Sequence, residues 1–206
     1  MRILIFLVAL TANAADLPKY WSIHIDHPSD RAAFEKLDRE FTQTISDFYA
    51  ANHLDAPAVI TLVTADGRFY GLRPRNSLAD FEKPSLDADL AKQLQAKTSP
   101  ISEATHKTLR DHHNEIWRVE RELTTATEIV PHKYAMLRTD YVSPPNDAQY
   151  EAAMKQLIHE LAGVGVVAFF SVYGDGSHRY LFLSDSPIKV RTLKGLAETH
   201  DSTVRF

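Results

Sequence analysis

Two stretches of this chain repeat one another in element order rather than in letters. The first runs YWSIHID at 20–26, a helical segment from about Asp30 to Asn52, then AVITLVTADGRFYGLRP at 58–74. The second runs YAMLRTD at 134–140, a helical segment from about Asp147 to Ala162, then VVAFFSVYGDGSHRYLFLSDSP at 166–187. In each, a Tyr stands six residues before an Asp, a helix follows, and a hairpin with Asp-Gly in its turn ends at Pro. Two β-α-β-β units are the economical description. Such a unit carries helices on one face of its sheet only, so the other face must find a partner.

The periodicities support this order. Phe34, Leu37, Phe41, Ile45 and Phe48 make one helical stripe, with Ser29 or Asp30 placed to cap it. Tyr150, Met154, Leu157, Ile158 and Leu161 make the matching stripe, with Asn146 or Asp147 at its start and Gly163 at its end. Ala65-Asp66-Gly67-Arg68 and Gly174-Asp175-Gly176-Ser177 supply turn residues between runs rich in Val, Ile, Phe, Tyr and Thr. Between the units, about 77–123, the chain reads as a helical insert: a short turn before Pro84, a helix over Leu86–Ala96, and a third from about Ser102 to Leu123. Ile188–Glu198 reads as a short helix, and Ser202–Phe206 as a closing edge strand. The first unit then spans 15–131 with the insert, and the second 132–206.

The fold class expected is α+β: two fused ferredoxin-like units whose antiparallel sheets pack bare face to bare face. This organisation resembles the dimeric α+β barrel superfamily in tandem, fused form. That group includes antibiotic-biosynthesis-type monooxygenases, haem-degrading enzymes, NIPSNAP-like proteins and chlorite-dismutase-like haem proteins. The resemblance rests on element order, and no motif carries a catalytic residue over. It implies a cofactor-independent monooxygenase-like or haem-related enzyme as one function.

The opening MRILIFLVALTANA has a positive start, an apolar run from Ile3 to Leu10 and an Ala-x-Ala site. That pattern is a signal peptide at 1–14, which places the mature chain in the periplasm or outside the cell. No membrane association is expected after cleavage. The sequence contains no Cys, which removes disulfides, thiolate chemistry and lipid anchoring through cysteine. A net charge of -4 with interleaved acids and bases lacks the cationic face that nucleic acid requires. A monomer or homodimer is expected.

RDHHNEIWRV, at 110–119, sets two histidines side by side. On a helix, His112 falls on the apolar stripe of Leu109, Ile116, Val119 and Leu123, and His113 turns about 100° away. No His-x-x-x-His pair occurs there, so no metal site is expected. Haem needs one axial ligand, and His112 is the candidate, against the plainer reading of a partly buried, hydrogen-bonded histidine. No cofactor is expected.

Strand alternation points elsewhere. Trp21, Ile23, Ile25 and His27 share one face of their strand, and Ser22, His24 and Asp26 the other. In the second unit Arg138 and Asp140 match His24 and Asp26. If the apolar faces pack on helices, these four look into a common interior. His24 would be a general base oriented by Asp26, with Arg138 as an anion clamp and Asp140, Tyr70 and His112 lining the pocket. The alternative is that the acids pair with Arg138 to hold the halves together. The function expected is binding of a small, partly apolar or aromatic molecule between the sheets. A protein-interaction module built on the insert is a further alternative.

Overall fold

The structure is a computed structural model that describes residues 17–130, 136–161, 163–174, 177–188 and 197–205. The signal-peptide segment and most of the helix expected at 188–198 lie outside these residues. The elements are β1 (Tyr20–Pro28), α1 (Arg31–Ala51), β2 (Ile60–Thr64), β3 (Phe69–Arg75), α2 (Ala88–His106), β4 (Leu109–Val119), β5 (Met136–Val142), α3 (Asp147–Glu160), β6 (Val166–Tyr173), β7 (Arg179–Ser184) and β8 (Ala197–Arg205).

The eight strands form one closed barrel in the order β1-β3-β2-β8-β5-β7-β6-β4. Each half contributes its strands in the same spatial order, β4-β1-β3-β2 and β8-β5-β7-β6. The expected pair of stacked sheets is therefore one sheet curled on itself, which also removes free edges. β8 is not an edge strand, because it pairs with β2 on one side and β5 on the other. The seam at β2–β8 is short, with Val63 opposite Arg205 and Thr64 opposite Val204. The seam at β4–β6 runs from Ile116 opposite Tyr173 to Val119 opposite Phe169.

The expected helical insert is corrected. α2 ends at His106, and 109–119 is a strand paired along nearly all of β1. The first half thus completes the β-α-β-β-α-β order within itself. The helical stripe through Leu109, His112, Ile116 and Val119 was a coincidence of spacing. The period-2 signal of Trp117 and Val119 was masked because Glu115, a charged residue, occupies an inward position of the same strand. α2 also runs through Pro100, with Thr98 and Ile101 buried on either side of it. Packing there outweighs the missing proline donor.

Apolar alternation faces the barrel interior, not the helices. Trp21 and Ile23 meet Leu72, Trp117, Phe169 and Leu183 there. Each fully buried aliphatic side chain contributes roughly 1.5–3 kcal/mol. Outside the barrel, Phe34 of α1 packs on Val63 and Phe69. Tyr150, Met154 and Ile158 of α3 pack on Val166, Ala168 and Phe182. The Asp30 side chain caps α1 by accepting from Ala33 N–H at 3.1 Å, as the sequence indicates. Gly163, just past α3, takes φ +89°, which favours glycine.

Candidate active site

The barrel interior is filled mainly by apolar side chains, so the positions alternating with them look outward. His24, Asp26, Arg138 and Asp140 therefore do not converge on an inter-sheet space. They lie on the outer face of their strands, in the layer the helices cover. Tyr70 lies on the opposite, inward face: it pairs in register with Ile25, whereas Gly71 stands opposite His24. Its ring lies 6.1 Å from that of Trp117, and burial pushes its phenol pKa up.

The outer face of β1 and β4 gathers a polar cluster. Asp26 stands opposite His112 in the ladder, and His24 opposite Asn114. His24 Nδ1 lies 2.8 Å from Asn114 Oδ1, and its Nε2 lies 3.0 Å from Asp26 Oδ1. The second approach is an ion-pair contact without hydrogen-bond alignment, and Asp26 Oδ1 has no other partner. The His24 side chain is 48% exposed while that of Asp26 is 14% exposed. Contact with Asp26 raises the His24 pKa above the ordinary histidine value, against the effect of burial. Asn114 adds to the rise and Arg73 opposes it weakly. The ring of His112 stands edge-on to His24 at 5.9 Å, and His106, at the end of α2, edge-on to His112 at 4.8 Å. Asp38 of α1 borders the cluster. Its carboxyl pKa is raised, first by burial and then by the charge of Asp26.

The matching positions in β5 are closed. Arg138 Nε donates to Asp140 Oδ2 at 2.9 Å. Tyr150 of α3 donates to the same oxygen at 2.6 Å, and Thr199 of β8 donates to Oδ1 at 2.7 Å. Arg138 Nη2 reaches Thr199 Oγ1 at 3.0 Å. Arg138 and Asp140 are both buried. This network ties β5, β8 and α3 together, and the Arg138 guanidinium faces protein rather than open space.

A third polar group sits inside the barrel, on the strand whose spacing mimics a helix in the sequence. The Glu115 side chain is fully buried and ion-paired with Arg179 of β7. Trp117 Nε1–H donates to its Oε2 at 2.5 Å, and His113 Nε2 lies 3.0 Å from Oε1. Gly174 makes room for it, because a Cβ there would come within 2.9 Å of Glu115 Cγ. The usable signal was a lone acid between two inward-facing strand positions. The histidine doublet is thus split by a strand, not by a helix, and the faces are exchanged: His113 points inward and His112, on the exposed outer face, does not line a buried stripe.

Among the described residues no group of three His, Asp or Glu side chains is placed to hold one metal ion. Haem fits poorly at His112. That residue is exposed, the rings of His24 and His106 crowd it, and its outward-facing neighbours Arg110 and Asn114 are polar and exposed, where a porphyrin needs an apolar slot.

No protein-family model matches the chain, and no curated protein matches it by sequence. Solved structures match along nearly its whole length. An anthrone oxidase-like protein superposes with a TM-score of 0.58 at 13% identity, covering 93% of this chain and 92% of that one. A protein assigned as a monooxygenase from Fusobacterium nucleatum gives 0.52 at 9% identity, covering 92% of each chain. A protein of the same assignment from Lactobacillus acidophilus gives 0.50 at 11%, covering 91% of this chain and 93% of that one. These likenesses show the fold, an α+β barrel closed by eight antiparallel strands. Here one chain supplies both halves of the barrel.

Proposed function

We propose that this chain is a cofactor-independent oxygenase-type enzyme acting on a small, partly aromatic molecule, with the His24–Asp26 pair as its base. The carrying observation is the asymmetry of the two outward-facing pairs. Both oxygens of Asp140 accept hydrogen bonds in a buried network, whereas His24–Asp26 keeps a half-exposed imidazole and a carboxylate oxygen that accepts no hydrogen bond. Neighbours in fold that are oxidase-like or assigned as monooxygenases agree with the reaction class.

Above its raised pKa the His24 ring keeps the Nδ1 proton, accepted by Asn114 Oδ1, and Nε2 carries the lone pair. A proton taken from an acidic C–H or phenol onto Nε2 is met by the Asp26 charge 3.0 Å away. The resulting carbanion or phenolate then reduces dioxygen. For a benzylic methylene the balance is one dioxygen consumed, one carbonyl formed and one water released. The chain reaches this site, in our reading, after removal of residues 1–14 in the periplasm or outside the cell, and as a monomer with a complete barrel.

The test is oxygen uptake and product absorbance with an anthrone under air. The wild type accelerates oxidation over the uncatalysed rate, and H24Q loses on the order of 10²-fold in kcat/KM. Equal rates for wild type and H24Q sink the proposal. Binding without turnover would leave a non-catalytic small-molecule carrier. Secretion is checked by mass: the exported protein begins at Ala15.

A further inference from the structure

Two cations on the same outer face are left without acids. Arg73 and Arg75 alternate along β3 with the inward Leu72 and Pro74, and stand opposite Ser22 and Tyr20 of β1. Both are half-buried. Among the described residues neither is ion-paired with a carboxylate. Arg75 donates from Nη1 to the carbonyl of Pro74 at 3.2 Å, its guanidinium lies 5.7 Å from the centre of the Phe81 ring, and its Nε is buried with no hydrogen-bond partner. Burial and repulsion from Arg75 both lower the Arg73 pKa, and Tyr49 of α1 offsets them only in part. Half-buried charges normally persist because something pairs with them.

We propose that Arg73 and Arg75 form a carboxylate-binding subsite that holds the acid group of a small aromatic acid against the outer face of β3. Guanidinium forks match a carboxylate in two-point geometry. The Phe81 ring beneath Arg75 supplies an apolar flank. Arg73 lies two residues along β3 from Gly71, the position opposite His24, which is about 7 Å of strand. A carboxylate on Arg73 thus leaves a ring-sized body reaching towards His24 Nε2. The anion-clamp role that the sequence suggested for Arg138 moves to these two residues. The subsite names the substrate class for the reaction proposed above and rests on that reading only for what happens after binding.

The experiment is calorimetric titration of the full chain with benzoate, and with benzamide as its neutral isostere. Benzoate binds at least ten-fold more tightly than benzamide. R73Q and R75Q each lose ten-fold or more for benzoate and little for benzamide, while H24Q retains benzoate binding. Added inorganic phosphate competes with benzoate. Circular dichroism checks that each variant is folded, and R73K, which keeps the charge but not the fork, weakens benzoate binding less than R73Q. Because unpaired like charges are removed, the Arg→Gln variants melt no lower than wild type, an outcome a purely structural role would reverse. Equal binding of benzoate and benzamide, or unchanged benzoate binding in R73Q, R75Q and R73K, overturns the proposal. Failure of oxygenation alone leaves it standing, since binding is read without turnover.

Discussion

Asp26 and Asp140 occupy matching positions in β1 and β5, six residues after Tyr20 and Tyr134, yet only Asp140 has both oxygens satisfied. The pair on β5 ties β5, β8 and α3 together, whereas the pair on β1 leaves its histidine half-exposed. The two aspartates therefore differ in what their removal costs. D140A leaves the buried Arg138 without its counter-ion, and removing one partner of a buried pair costs about 3–5 kcal/mol. Denaturant unfolding of D140A shows a loss of that size or no folded protein. D26A, whose loss leaves only a half-exposed histidine, costs well under ~1 kcal/mol. A D140A variant as stable as D26A would contradict the assignment.

The Tyr150 hydroxyl completes the same network from α3 by donating to Asp140 at 2.6 Å. Y150F keeps the ring packing and removes one hydrogen bond to a charged acceptor. The expected loss is about 1.5–3 kcal/mol. Burial, with the Asp140 charge beside it, pushes the Tyr150 hydroxyl pKa far up. Its absorbance therefore shows no ionisation until the protein unfolds in alkali, which a spectrophotometric titration checks.

The pH dependence follows from His24. Asp26, Asn114, Arg73, Asp38 and His112 face it, and the net effect raises its pKa above the unfolded value. The protonated ring is thus favoured in the folded state. Its stabilisation is fully present below about pH 6.5, the unfolded pKa, and is lost as pH rises through the folded pKa. D26N removes the main cause. By NMR titration the His24 pKa falls towards the ordinary value, and the stability gap between wild type and D26N narrows between pH 5.5 and 8.5. With His24 half-exposed, that gap stays below ~1 kcal/mol. If His24 is the base, activity rises with pH through the same pKa.

The α+β class and the β-α-β-β order were legible from the Tyr-to-Asp spacing, the two helical stripes and the Asp66-Gly67 turn, because these report local geometry; the second turn, Asp175-Gly176, lies outside the described residues. What failed was facing. Alternation showed correctly that His24 and Asp26 oppose Ile23 and Ile25, but one strand does not say which side closes into a barrel. The β4 assignment failed for a different reason. An inward Glu115, whose charge is balanced by Arg179 from 64 residues away, breaks the apolar pattern that identifies a strand. Arg73 and Arg75 read as ordinary charges among interleaved acids and bases, since their lack of a carboxylate partner among the described residues exists only in three dimensions.

Glu115 and the histidine doublet give the last separation. His112 and His113 are neighbours in sequence but project to opposite sides of β4, the first beside His24 and the second against Glu115. H112A leaves the barrel interior intact and removes only the ring that stands edge-on to His24. H113A touches the Glu115 network, but Glu115 keeps Arg179 and Trp117, so the cost is about 1 kcal/mol. E115A is the severe change. It strips the buried Arg179 of its acid and leaves Trp117 Nε1–H without an acceptor, with about 3–5 kcal/mol lost. Trp117 fluorescence reports the difference: its emission shifts in E115A, hardly moves in H113A and stays at the wild-type position in H112A. An H112A variant that disturbed Trp117 as much as E115A would mean that β4 does not present its two histidines to opposite faces.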